Sequence, residues 1–388
     1  VIRRKDRLIA EFADYRQQQL GDGRFDLIRG YGGLRDSHSL QVDLLDGGSQ
    51  SIGFRCALLA TGSEVARLPI PGLEQAGYLV SDDVLELESL PHSVAVLGGG
   101  AIALEMAHYL AAMGVEVSVI QRSGHVLSDC DRDVGEAVAD AMRAQGVNLF
   151  TGTRLLAAGR GAEGKYVEFE HAGTTRRIEC ADILQALGRH PATARLGLAA
   201  AGVALDGRAV ATAPTQQVPG CPHIFAAGDV CGPYEIVHIA IQQGEIAARN
   251  AARLLAGHES ALEEIDYRLR LSAVFTEPEV AVAGLTEREA HARGIDTAVA
   301  SYPFDDHGKS LVMGETHGFV KLIADRASAQ LVGGAVVGPH GSDLIHEVVV
   351  ALAARMSPAQ LAAIPHYHPT LSEIWTYPAE DLADELDG

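Results

Sequence analysis

Three stretches of this chain carry residues whose types and spacing could do chemistry. The first is Gly98-Gly99-Gly100-Ala101-Ile102-Ala103, a Gly-x-Gly-x-x-Ala loop between an apolar strand at 94–97 and an apolar helix at 101–113. Gly98 permits a tight turn, Gly100 lets backbone approach a pyrophosphate, and Ala103 lets the helix pack close to the strand. The helix N-terminus offers free N–H groups and the positive end of its dipole to phosphate. In that context the loop reads as a dinucleotide site, the alternative being a glycine turn without a ligand. At the next βα turn an acid would bind the ribose 2′-hydroxyl of NAD. The chain has Gln121-Arg122-Ser123 there. Arg122 suits a 2′-phosphate and favours NADP, whereas Gln121 could bond a free ribose and keeps NAD open.

The second stretch is Ile224-Phe225-Ala226-Ala227-Gly228-Asp229. An Asp at such a strand end can accept hydrogen bonds from a polyol hydroxyl chain, or it can cap a helix. The third holds His366, His368 and Glu373. His-x-His lacks a third ligand nearby, so no metal is expected. Thr370-Leu371-Ser372-Glu373 also has the form of a helix capping box. Asp305-Asp306-His307-Gly308-Lys309-Ser310 is no phosphate loop, because Pro303 stands where its first glycine belongs.

These residues need elements to position them. Periodicity predicts a helix over 5–20, strands at 26–29 and 40–45 with Asp46-Gly47-Gly48 as a hairpin turn, and a buried strand running into Ala60-Thr61-Gly62. Pro69 and Pro71 mark a linker. After the βαβ unit of 94–120 come a helix at 133–145, strands at 147–150 and 166–170, and a buried strand ending in Ala186-Leu187-Gly188. That ending repeats the earlier one, which implies two related dinucleotide-binding units. Only the second has its glycine loop. From about residue 266 the pattern is α+β, with strands at 273–275, 319–323 and 331–337 and helices at 286–293 and 343–355.

The 388 residues suffice for two or three domains. A net charge of −20 argues against nucleic-acid and anionic-membrane partners, and no apolar run approaches the length of a membrane span. Five cysteines do not make a disulfide scaffold. A cytoplasmic protein is expected. The chain opens on Val1 rather than Met, and residues upstream of it are expected.

Taken in order, Ala60-Thr61-Gly62, the Gly98 loop, Gly188-Arg189-x-Pro191, Ala227-Gly228-Asp229 and His368-Pro369-Thr370-Leu371-Ser372-Glu373 resemble the pyridine nucleotide-disulfide oxidoreductases. That family includes dihydrolipoamide dehydrogenase, glutathione reductase and mercuric reductase. The resemblance implies an α/β fold of two Rossmann-like domains, for FAD and NAD(P), plus an α+β dimerisation domain. It implies an FAD-binding part at 1–72, an NAD(P) domain at 73–192, a return to the FAD domain at 193–265 and a dimer-interface domain at 266–388. FAD contacts are implied at Gly30, Thr61, Gly62, Asp229, Ile236 and His238. Nucleotide contacts are implied at Gly98, Gly100, Ala103, Gln121, Arg122 and Gly188, with Glu105 near the nicotinamide.

The resemblance also makes His368 and Glu373 an acid–base pair, reaching across a homodimer to the partner's disulfide. A histidine titrating near neutrality suits proton exchange with a dithiol, and a carboxylate can orient it. The family's flavin glycine loop and redox cysteine pair are not in this chain. Cys56, Cys130, Cys180, Cys221 and Cys231 lack that spacing and read as small hydrophobes. The implied activity is electron passage between nicotinamide, FAD and a small disulfide or other acceptor, dihydrolipoamide dehydrogenase-like. Glutathione reductase-like or mercuric reductase-like NADPH chemistry is one alternative. A non-catalytic nucleotide-binding, dimerising module is another.

Overall fold

A computed structural model describes residues 1–161 and 164–387; Gly388, the last residue of the expected C-terminal domain, lies outside them. The chain divides into two compact units, Val1–Ala66 with Arg189–Asp266, and Arg67–Gly188 with Tyr267–Gly388.

In the first unit the helix Ile2–Leu20 buries none of its residues. Strands Gly30–Asp36, Ser39–Leu44 and Ser49–Gly53 form an antiparallel sheet, with Gly47 and Gly48 at positive φ in the turn. The strand expected at 26–29 starts instead at Gly30. There the partner strand comes so close that a side chain would meet Asp43 O at 2.5 Å. Ala57–Leu59 lies parallel to Cys221–Ala226, which pairs on its other side with Gln217–Val218. The long helix Val237–Leu255 follows the strand and turn of 224–229. Its inner face mixes Ile239, Ile246 and Ala247 with fully buried Gln243 and Asn250, so its apolar stripe is interrupted. Gln243 accepts from Gly228 N at 2.7 Å and donates to Gly232 O at 2.7 Å, holding the Asp229 turn.

In the second unit a parallel sheet runs in the order Asp182–Gln185, Ser93–Leu97, Glu116–Ile120, Asn148–Phe150. Val94, Ala95, Val96 and Leu97 are all buried, as a strand covered on both faces requires. The helix Ala101–Ala112 buries Ala103, Leu104, Ala107 and Leu110 against this sheet. An antiparallel sheet of Arg154–Arg160, Lys165–His171 and Thr174–Cys180 follows; its two outer strands were not expected. The C-terminal part is a five-stranded sheet, Leu271–Val274, Glu279–Gly284, Gln330–Gly338, Phe319–Asp325, Thr297–Pro303. The helix Gly341–Ala353 and the closing helix Thr376–Asp387 lie against it. Val280, Val282 and Val337 share one apolar cluster with Val134 and Val138 of the helix Arg132–Ala144.

One buried cation ties these parts together. Lys321 is 1% exposed on the C-terminal sheet. Its Nζ lies 3.0 Å from Asp131, 2.8 Å from Asp133 and 2.7 Å from Glu287. Burial works against the charge, but the three carboxylates outweigh it and hold the pKa above the usual lysine value. Asp131 also accepts from Glu287 N at 3.1 Å. Because the folded-state pKa is raised, this stabilisation is full at neutral pH and is lost only as pH climbs through that raised value. Lys321→Met should lower unfolding stability by about 3 kcal/mol, the low end for breaking a buried pair, since Asp133 and Glu287 are partly exposed. A urea titration checks this; an unmoved midpoint contradicts it.

Candidate functional site

The glycine loop is built by close packing. Gly98 has φ +117°, and a side chain there would lie 2.3 Å from Ala186 O on the neighbouring strand. Gly98 N donates to Ile120 O at 3.0 Å, and Gly99 O accepts from Leu127 N at 2.7 Å. Gly100 differs, since a side chain there would meet nothing within 4 Å. It precedes the helix Ala101–Ala112, whose first turn has no side-chain cap. Open space beside uncapped N–H groups fits the pyrophosphate of a dinucleotide. Ala103 is fully buried. Gly188 ends the adjacent strand's turn at φ +107°.

Gln121 is buried, and three of its side-chain atoms pass 3.0 Å from where a Gly99 side chain would begin. Its Oε1 accepts from Arg122 N at 3.1 Å, so the amide is occupied in shaping the turn. Arg122 is exposed, and its guanidinium makes no ion pair among the described residues. Glu105 sits one turn into the helix and accepts from Phe275 N at 3.0 Å.

In the first unit, Thr61, Gly62 and Asp229 follow the carboxyl ends of two adjacent parallel strands, where ligands of such sheets bind. Thr61 donates to Ala192 O at 3.0 Å, and Gly62 has φ +70°. Ser63 Oγ donates to Asp229 Oδ2 at 2.7 Å and accepts from Arg189 Nε at 2.7 Å. Asp229 therefore caps no helix; it closes a Ser63–Arg189 network that spacing alone did not reveal. Ile236 precedes the helix Val237–Leu255, and His238 lies exposed in its first turn. Gly30 is placed apart from this group in chain and sheet, on the three-stranded hairpin sheet.

His368 and Glu373 are brought together. His368 Nδ1 lies 2.9 Å from Glu373 Oε2. The imidazole is 78% exposed while the carboxylate is largely buried. Glu373 forms no capping box: the turn Ser372–Trp375 has no side-chain cap, and Thr370 Oγ1 pairs with Ser372 Oγ at 3.2 Å instead. Trp375, fully buried, donates Nε1–H to Leu344 O at 3.1 Å and anchors the turn. A carboxylate only accepts, so a neutral His368 carries its proton on Nδ1 and turns the Nε2 lone pair outward. His307 is a further residue the spacing did not reveal, with Nε2 3.5 Å from the other Glu373 oxygen. His366 spends both ring nitrogens on protein, at 2.6 Å from Glu347 and 2.8 Å from Ile364 O.

All five cysteines are free. Burial pushes the thiols of Cys130, Cys180 and Cys231 up to about 11. Thiols so shifted are poor nucleophiles at neutral pH.

A family model described as pyridine nucleotide-disulphide oxidoreductase matches residues 8–244, and a model for the dimerisation domain of such proteins matches 271–379. Dihydrolipoyl dehydrogenase of Mycobacterium tuberculosis is 34% identical over 346 residues, 89% of this chain and 73% of that protein. The Chlamydia muridarum enzyme of the same name is 33% identical over 377 residues, 97% of this chain and 78% of that one. Among solved structures, the HOCl-induced flavoprotein disulfide reductase RclA from Escherichia coli, as its Cu(II) complex, matches with a TM-score of 0.86 at 27% identity. It covers 98% of this chain and 84% of its own. LpdA from Mycobacterium tuberculosis matches with a TM-score of 0.82 at 27% identity, covering 98% and 82%.

The two glycines make a paired test. Gly100→Val fills open space at an ordinary φ of −82° and should change stability by less than about 0.5 kcal/mol. It should weaken nicotinamide dinucleotide binding at least roughly tenfold by blocking the phosphate approach. Gly98→Ala should lose both stability and binding. Calorimetric binding beside thermal melts checks this; undiminished affinity in Gly100→Val contradicts the site.

Proposed function

Because this chain belongs to the pyridine nucleotide-disulphide oxidoreductase family, and is thereby an FAD-dependent oxidoreductase, we propose that it serves a dihydrolipoamide dehydrogenase-like reaction with His368 as the acid–base group. The observation that carries this reading is the 2.9 Å contact between the exposed His368 imidazole and the buried Glu373 carboxylate. Bound FAD supplies the two-electron relay between nicotinamide and a disulfide. His368 Nε2 takes the proton of an attacking dithiol or returns one to a leaving thiolate, and Glu373 keeps the imidazole aimed and stabilises its cation.

Gly98, Gly100, Ala103, Gln121, Arg122 and Gly188 hold the nicotinamide dinucleotide in this reading, with Glu105 toward its reactive end. Gly30, Thr61, Gly62, Asp229, Ile236 and His238 belong to the flavin side. The proposed division is 1–72 and 193–265 for FAD, 73–192 for NAD(P) and 266–388 for the dimer interface. The active site is shared across a cytoplasmic homodimer, and His368 meets a cysteine pair that none of this chain's five cysteines supplies. No described helix is long and apolar enough to cross a membrane. A glutathione reductase-like NADPH enzyme is the second reading, favoured by the exposed Arg122 and by Ala103.

Two substitutions test these assignments in the holoenzyme. His368→Gln should slow disulfide turnover by about a hundredfold, within the usual range for a lost general acid–base, while nicotinamide still reduces the flavin at the wild-type rate. Stopped-flow measurement separates the half-reactions; unchanged turnover removes the role. Arg122→Ala should cut a preference for NADPH over NADH by roughly tenfold, the worth of one charge-assisted contact. Equal rates with both nucleotides in the wild type would refute the NADP reading.

A further inference from the structure

We propose that His307 and Ser310 complete a hydrogen-bond relay, Ser310 to His307 to Glu373 to His368, in which His307 is the positioning residue that fixes the tautomer of His368. The inference rests on the proposed acid–base role of His368 for its consequence in catalysis, but not for its geometry.

One carboxylate serves two imidazoles, one oxygen to each. Glu373 Oε2 lies 2.9 Å from His368 Nδ1, and Glu373 Oε1 lies 3.5 Å from His307 Nε2. His307 has no exposed surface, and its buried Nε2 makes no hydrogen bond among the described residues, the Glu373 oxygen standing 3.5 Å from it. Its Nδ1 lies 2.9 Å from Ser310 Oγ, also fully buried. Both residues come from one short piece of chain, the turn Phe304–Asp306 and the helix Gly308–Met313. Phe304 and Tyr377 stand edge-on to the His307 ring, with centroids at 6.5 and 6.3 Å. Tyr377 is itself stacked on Tyr302 at 4.0 Å.

Proton placement follows from what each atom can do. Burial holds the His307 pKa below the ordinary histidine value against the pull of Glu373, so the ring is neutral. A neutral imidazole has one N–H, and a carboxylate has none to give. The nitrogen facing Glu373 must therefore bear the hydrogen, which leaves Nδ1 to accept from the Ser310 hydroxyl. The opposite tautomer would set a lone pair against a carboxylate oxygen in a dry site. A contact of 3.5 Å is long for such a bond, and catalytic hydrogen bonds commonly tighten only once the reacting groups are bound. With Oε1 held by His307, Oε2 is fixed on His368 and the outward lone pair of His368 Nε2 is fixed with it.

The test reads tautomers directly. Two-bond proton–nitrogen correlation spectra of the histidine-labelled protein distinguish the two neutral forms, with His307→Leu and His368→Gln assigning the signals. The wild type should show His368 as the Nδ1–H form and His307 as the Nε2–H form. His307→Leu should lose the single His368 tautomer, and His307→Gln, whose amide N–H reaches the same oxygen, should restore it. Ser310→Ala, a smaller change, should leave the chain folded and cost His307 its single tautomer, which keeps the test alive if His307→Leu does not fold. An unmoved His368 signal in His307→Leu, or an Nδ1–H form of His307 in the wild type, overturns the relay. If the tautomers shift as expected while His368→Gln holoenzyme turns over disulfide normally, the acid–base reading fails and the relay stands.

Discussion

The carbonyl of Ala186 occupies the place where a side chain on Gly98 would begin, and the glycine loop and its parallel sheet depend on that approach. Two parallel strands can then end side by side, and the chain can turn sharply enough for the helix Ala101–Ala112 to start with its N–H groups free. The same closeness recurs one layer out, where Gln121 fills the space left by Gly99 and turns its amide to the backbone of Arg122. A glycine loop of this kind is a set of contacts that only missing side chains permit. The open space beside Gly100 is what those contacts leave.

Charge does the second part of the work. The chain is strongly acidic, yet several of its carboxylates are spent on particular partners. Asp131, Asp133 and Glu287 surround Lys321, and through Asp131 they fix the end of the segment that starts at Arg122 and crosses Gly99 at Leu127. Glu373 is spent on histidine. Buried Lys321 is held by three carboxylates and the largely buried Glu373 by its bond with His368, the pairing under which burying charge is tolerated. The difference lies in exposure: Lys321 is sealed, whereas His368 stands in solvent.

Much of this was legible in the residues. The βαβ unit around Gly98 is locally consistent, with a β-branched strand, a glycine turn, a small-residue helix and a second strand, and the observed elements fall within a residue or two of the expected ones. The His368–Glu373 pairing followed from the motif, and the structure decides against the capping box that the same letters spell. Features carried by long-range contact were not legible. The helix Val237–Leu255 hides its stripe behind buried Gln243 and Asn250. The strand Thr174–Cys180 has only Ile178 and Cys180 as apolar residues, and Arg154–Arg160 groups Leu155 to Ala158 in one run without alternation. His307 is 66 positions from Glu373 in the sequence; only the fold of the C-terminal sheet brings them together. Ser63 meets Asp229 from 166 positions away, and Arg189 reaches Ser63 from 126.

The proposed electron path runs from a nicotinamide dinucleotide at Gly98–Ala103 to a bound flavin. Anaerobic addition of NADPH to the natural protein, followed in the visible absorption of its flavin, tests that path most directly. The protein should be yellow and should bleach on addition. A colourless protein, or a yellow one whose spectrum does not change with either nicotinamide nucleotide, would contradict it.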